Sequence, residues 1–492
     1  MLLDTPVYTL ALQPDGRILV GNLSGPLRLN TNGTTDTSFD TRLTNRFSRG
    51  TCYTVGVQDD GKILVCGSFN SVAGQSHTNM GRFNADGSLD NAFKAGTTGE
   101  VFSQAFDGSG RKLIGGHLLG LGGSSSLGRL DQNDVPDASF NPGSGVLFSL
   151  AVQSDDRILA GGYFSSLAGQ SRTNFGRLSP DGGLDSSFNP TGLVYEIECF
   201  AGQADGKILA GTTVNGMVGL MTNLVRFDSQ GTLDTDFNPA PDSAVYALAV
   251  QTDGKIILGG VFHSLGGQTR MGLGRINADG SLDTNFVPIA YQTVYSLALQ
   301  DDGKILIGGK LVDGSGQTNN YIGRLQNNSP ATQSLTYVGS TITWLRGGSS
   351  PEAWRTSFQN STDGSVWTDL GNGTRISGGW QLTGVLVQPG SLIRARGRVS
   401  AGQFNGTSWF LESRLQVPTA PKIIVDNGNF GLRSNQFGFD FSGPTNSQIV
   451  VESSLDLFNW TPLATNTMQS SSTYFSEPAT NSMAFYRLRL LP

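Results

Sequence analysis

The sequence is poor in charge, cysteine and histidine. Only 15% of its 492 residues are charged, and acids outnumber bases 39 to 33. A net charge of −6 argues against nucleic acid as a partner, because binding a phosphate backbone needs a basic surface. Three cysteines, Cys52, Cys66 and Cys199, make no disulfide framework in a chain of this length. They also lack the spacing of a zinc site, so they are expected to be buried structural thiols. The three histidines, His77, His117 and His263, sit at unrelated places, and no metal triad, nucleophile elbow or phosphate loop accompanies them. No apolar run reaches the ~18 residues of a transmembrane helix. The opening Met1-Leu-Leu-Asp-Thr-Pro6 lacks the basic and apolar segments of a signal peptide. No catalytic residue, metal or cofactor is therefore expected.

What the chain has is glycine, 67 residues of it, and a repeat. The clearest copy is Val245-Tyr-Ala-Leu-Ala-Val-Gln-Thr-Asp-Gly-Lys-Ile-Ile-Leu-Gly-Gly260, followed after a loop by Gly274-Arg-Ile-Asn-Ala-Asp-Gly-Ser-Leu-Asp-Thr-Asn-Phe286. Its first turn recurs at Gly16, Gly61, Gly110, Asp156, Gly206, Gly254 and Gly303, a period of about 48 residues. A closing Phe recurs at Phe39, Phe93, Phe140, Phe188, Phe237 and Phe286, and the seventh copy lacks it. Two nearly continuous apolar runs joined by Asp-Gly predict a hairpin with a type I′ turn. A third strand and a short fourth strand follow. One such sheet has two apolar faces and cannot stand alone, but seven packed radially cover one another. The expected class is all-β: a seven-bladed β-propeller over 1–330, followed by two small β-sandwich (immunoglobulin/fibronectin-like) domains.

The pattern V-x-A-L-A-V-Q-x-D-G-K-I-L-x-G-G … G-R-L-N-x-D-G-S-L-D-x-x-F resembles the delta-60 repeat family of bacterial β-propeller proteins. The likeness covers about residues 7–325 and is strongest at 146–188 and 245–286. It implies a propeller in an exported bacterial protein and carries no catalytic residues. Repeats three and five depart most, with Lys112 in an apolar position and Gly211-Thr-Thr213 replacing Gly-Gly. The seventh repeat stops near Gln326 without its fourth strand. The expectation is that the closing strand, with a signal peptide, precedes residue 1.

Composition changes near 330, beyond which all six tryptophans lie. Linkers at Asn327–Thr332 and Val417–Pro421 bound domains at 333–416 and 420–492, each with the alternation of half-buried strands. Both carry a Ser-x-Asp … Trp-Thr signal, at Ser361–Thr368 and Ser454–Thr461. The first resembles the Asp-box turn of sialidase-like propellers, which implies a structural turn. The last segment is loosely similar to fibronectin-type modules.

Each repeat places an Arg in its third strand, and six have an Asp eight residues on. Arg82 with Asp90, Arg177 with Asp185 and Arg275 with Asp283 are expected to pair, since the guanidinium fork matches a carboxylate. A sharper alternative sets the arginines around the channel as an anion site. The turn Asn84–Asp90 partly resembles a calcium loop but lacks the bidentate Glu, so a plain hairpin turn is expected. Equivalent loops place Gln75, Gln170, Gln268 and Gln317 on one face as a polar ligand-binding rim. The functional expectation is a non-catalytic, monomeric extracellular scaffold that binds a protein or glycan. The alternative is a carbohydrate-binding or carbohydrate-active protein, with its site on the propeller face or on tryptophans of 333–416.

Overall fold

The computed structural model describes residues 5–491, except 40–42, 46–48, 119–120, 122–125, 144, 191–195, 214–222, 289–291, 312–319, 402–405, 420, 445–446, 471 and 480–483. Among the described residues every regular element is a strand. Each repeat forms three antiparallel strands in sequence order. The first strands are Val7–Leu12, Thr51–Val57, Glu100–Phe106, Val146–Val152, Glu196–Gly202, Val245–Val250 and Thr293–Leu299. Each packs against the next, and the last packs against the first, so the seven form a closed inner ring. Leu10, Val55, Leu248 and Leu297 are fully buried between neighbouring sheets. Each such side chain contributes roughly 2 kcal/mol of hydrophobic stabilisation.

The repeated arginines close this ring from outside. All six Arg–Asp pairs form, among them Arg82–Asp90 at 2.8 Å, Arg177–Asp185 at 2.8 Å and Arg275–Asp283 at 2.9 Å. Each of these guanidiniums also lies over its repeat's closing Phe, 4.1–4.8 Å from the ring centre. A remaining N–H reaches into the next repeat: Arg28 to Ala85 O, Arg129 to Pro180 O, Arg177 to Ser229 O, and Arg275 to the side chain of Asn327. Arg324, whose repeat has no Asp eight residues on, donates to Thr31 O of the first repeat at 2.9 Å. The arginines lie on the third, outer strands and do not line the channel, so the anion-ring alternative falls.

Two expectations need correction. First, the hairpin turns are not type I′. Gly16 has φ +81° and Gly254 +84°, but the residue before each does not share the left-handed conformation. Gly16 N–H donates to Gln13 O and Gln13 N–H to Arg17 O, the signature of a type I turn closed by a left-handed residue. Second, the fourth strand is a single bridged pair, such as Ile276 with Leu282. Asp283 N–H bonds Arg275 O and the Phe286 N–H bonds Asp283 O, which turns the chain away at once. The inner strands and Arg324 close the ring although the seventh repeat lacks a fourth strand.

After Leu325 the chain builds two further pairs of sheets. Residues 331–416 form one sheet from Ala331–Val338, Thr341–Gly348, Gly379–Leu382 and Thr374–Ile376. A second sheet runs Thr368–Asn372, Arg355–Ser361, Leu392–Ala401 and Thr407–Gln416. Its last strand continues into the second repeat through a parallel pairing of Ser408 with Gly56. This segment therefore does not stand apart. Its core, with Trp344, Trp380 and Trp409, is continuous with that of repeats one and two. Residues 422–490 form two sheets around Phe439, Phe441, Ile449, Val451 and Met468.

The three thiols are fully buried, and burial raises each above its ordinary pKa. The native chain is expected to leave all three unreacted with a disulfide reagent and to titrate three per chain in guanidinium. Rapid reaction of the folded protein would contradict this burial.

Candidate functional site

The segment 331–416 covers one end of the ring. Its contacts fall on the first turns: Thr252 N–H donates to Ser350 O, Glu352 N–H to Val250 O, and Arg398 to Val57 O and Asp59. Arg355 bonds Phe106 O and Asp107 O at 2.7 Å each and pairs with Asp156 at 3.0 Å. Asp156 stands where six repeats have Gly, at φ +62°, and its carboxylate also accepts Gly108 N–H. The one turn without glycine thus supplies the carboxylate that pairs with this arginine, beside the carbonyls of the repeat-three turn. Deeper in, Gly406 O accepts Gln104 N–H, and Thr407 Oγ1 bonds Thr9 and Thr54, both on inner strands. The strand Thr407–Gln416 thus enters the channel from the turn end.

The opposite end is ringed by one residue from each inner strand. In every repeat the pairing of first and second strands shifts register by one residue, between Val7 and Thr9, Cys52 and Thr54, and so on to Val294 and Ser296. Such a bulge re-aims the extra side chain. The bulged residues are Tyr8, Tyr53, Phe102, Phe148, Glu198, Tyr246 and Tyr295. Consecutive rings from Phe148 back through Phe102, Tyr53, Tyr8 and Tyr295 to Tyr246 lie 5.3–5.9 Å apart. All six aromatics keep part of their surface open to solvent.

Glu198 fills the gap in this ring. It is 7% exposed, and Thr213 Oγ1 donates to its carboxylate at 2.6 Å. Burial pushes its pKa up to about 7; the Thr213 bond opposes this and the Glu196 charge adds to it. Burial and the Glu198 charge both raise the Tyr246 hydroxyl.

The residues expected to form a rim lie elsewhere. Gln75, Gln170 and Gln268 are exposed at the tips of short ribbons, two-stranded for Gln170 and Gln268 and joined by Leu43–Thr44 for Gln75. Val72, Leu167 and Leu265 of those ribbons press on Gly81, Gly176 and Gly274 of the outer strands, which sets the glutamines at the periphery, away from the channel mouth. Gln317 lies outside the described residues. In the second turns Asp86 accepts Ser88 N–H and Oγ–H, and Asp90 is held by Arg82 and Lys62, so protein donors occupy these carboxylates. Trp344, Trp380 and Trp409 are buried, and Arg394 covers Trp367 at 3.9 Å. Trp354 is half-buried and lines a pocket with Gln153, Lys207 and Trp380. The Ser-x-Asp motifs are turns: Asp363 accepts Ser365 and Val366 N–H, and Asp456 accepts Phe458 and Asn459 N–H.

The fold and this channel define a protein built from tandem propeller repeats. The family described as "Domain of unknown function (DUF5122) beta-propeller" matches residues 58–93, 153–188, 203–237, 251–286 and 300–329, so the chain carries DUF5122 propeller repeats across 58–329. No curated protein matches the chain. Similar solved structures include a protein of unknown function from Bacteroides caccae, 15% identical over 47% of this chain and 80% of its own, with TM-score 0.31. The extracellular domain of a proposed hybrid two-component system from B. thetaiotaomicron is 11% identical over 99% of this chain and 67% of its own, with TM-score 0.31. A gluconolactonase from Xanthomonas campestris is 15% identical over 62% and 92%, with TM-score 0.34. None of these likenesses carries a functional argument.

Proposed function

We propose that the chain is a non-catalytic extracellular binding scaffold. In this reading a seven-bladed propeller of the delta-60 type carries sandwich modules at 333–416 and 420–492. The first module seals one end of the channel, and the aromatic mouth at the other end receives the ligand. The observation that supports this is the ring itself: seven bulges deliver seven side chains to the end opposite the first turns. Aromatic side chains offer large contact area at low entropic cost, which suits binding.

The test is a fragment screen on protein labelled with 3-fluorotyrosine, read by ¹⁹F NMR. Binders are expected to shift Tyr8, Tyr53, Tyr246 and Tyr295 ahead of the other tyrosines. Hits confined to the outer ribbons, abolished by Gln75→Ala/Gln170→Ala/Gln268→Ala, would overturn the mouth in favour of the rim. The carbohydrate alternative keeps one support, since aromatic rings also stack on sugars. A glycan array that shows binding lost in Tyr8→Ala/Tyr295→Ala would establish it, and a silent array would count against it.

A further inference from the structure

We propose that this mouth takes an organic cation, a quaternary or alkylated ammonium group, held between Glu198 and the aromatic rings flanking it. The inference rests on the reading of the mouth as the ligand face and names the ligand's chemistry.

Six of the seven bulged positions are aromatic and one is an acid. A repeat that merely built a blade would keep the aromatic residue there. The acid is not a solitary substitution. On the strand paired with it, repeat five also has Thr212 where five other repeats have glycine, and the hydroxyl of the next residue, Thr213, holds the carboxylate at 2.6 Å. Glu198 is thus positioned as well as present.

Among the described residues no Lys or Arg lies in ion-pair distance of Glu198, whereas the acids of the second turns are paired with arginines. The nearest level of the mouth adds Glu100 and Glu196, opposite His117 and Thr213 in the strand register, and one lysine, Lys310, opposite Thr293. Glu100, His117 and Lys310 are exposed, which leaves Glu198 and the half-buried Glu196 as the charges set into the mouth. The faces of Tyr and Phe are electron-rich and attract a cation within about 6 Å of the ring centre. A carboxylate among such rings suits a bulky, weakly hydrated cation better than Na⁺ or Mg²⁺, which need a full oxygen shell.

The experiment titrates choline and its shape-matched neutral analogue, 3,3-dimethylbutanol, into the full chain labelled with 3-fluorotyrosine. Choline is expected to shift Tyr246 and its neighbours and to bind at least about tenfold more tightly than the alcohol. Glu198→Gln, with the remaining tyrosine signals unmoved to show that it is folded, is expected to lose about that factor. Between pH 6 and pH 8 the affinity of the unaltered chain is expected to rise about tenfold as Glu198 ionises, and that of the variant to stay level. Equal binding of choline and alcohol, unaffected by Glu198→Gln, would overturn the cation while leaving the mouth as a binding site. No shift at any mouth tyrosine up to roughly 100 mM choline, far beyond a useful affinity, would also overturn it. The mouth is judged separately, by the fragment screen.

Discussion

Glu198→Gln is expected to stabilise the folded chain by about 3 kcal/mol at pH 8 and to change little at pH 4. Burial has raised this carboxyl to about 7, against the Thr213 bond and with the help of Glu196. In the unfolded chain it titrates at its ordinary value of 4.5. Between these values the folded state keeps a proton that the unfolded state has lost. Stability therefore falls as pH rises from about 4.5 to about 7, and the full penalty persists above that. Glutamine has nearly the same shape, carries no charge and still accepts from Thr213, so the penalty should vanish. Urea midpoints of both proteins at pH 4, 6 and 8 check this. A difference that does not grow with pH would show that Glu198 meets no such penalty. Together with the expected loss of cation binding, this makes Glu198 a residue that costs stability and serves a ligand, a pattern typical of binding sites.

The repeat was legible because every copy meets the same packing problem. Leu10, Leu150, Leu248 and Leu297 recur at one place since each fills the space between neighbouring sheets, and the eight-residue spacing from Arg to Asp is the length of one strand and one turn. The site was less legible. Tyr8, Tyr246 and Tyr295 sit in apolar runs and read as ordinary strand residues. The bulge that turns them toward the channel has no residue signature of its own. Glu198 was visible in principle, by comparing residues 8, 53, 102, 148, 198, 246 and 295 down the repeats: Tyr, Tyr, Phe, Phe, Glu, Tyr, Tyr. The repeat-five departure that the sequence shows at Gly211-Thr-Thr213 lies on the partner strand, one pairing away from this acid. The sealing of the channel by 331–416 could not be read, because Arg355, Arg398 and Gly406 follow no period and touch residues some 250–350 positions away.

The other departure, Lys112 in repeat three, has an equally local cause and a large expected effect. Lys112 takes a position that is Ile63 in repeat two and Ile256 in repeat six, yet only 3% of its side chain is exposed. Its ammonium lies 2.7 Å from Asp134, which also receives Arg82 from the preceding repeat at 2.6 Å. Asp134 stands at φ +67°, where other repeats place glycine, for example Gly87 and Gly280. Asp134→Gly should therefore relieve about 1 kcal/mol of backbone strain. It also takes the carboxylate from buried Lys112 and one of two from Arg82, which keeps Asp90, and breaking a buried pair costs about 3–5 kcal/mol. The second effect wins, for a net loss of about 2–4 kcal/mol. Lys112→Ile alone leaves Asp134 paired with Arg82 and should change stability by less than about 1 kcal/mol. The double variant restores the pattern of the other repeats, with an apolar residue in the core and glycine in the turn. It is expected to match the unaltered chain or exceed it by about 1–2 kcal/mol. The double-mutant cycle should accordingly give a coupling of about 3 kcal/mol between Lys112 and Asp134. Additive single changes would mean that the lysine finds its stabilisation elsewhere, in the carbonyls of Asp131 and Gln132, 3.3 Å from its ammonium.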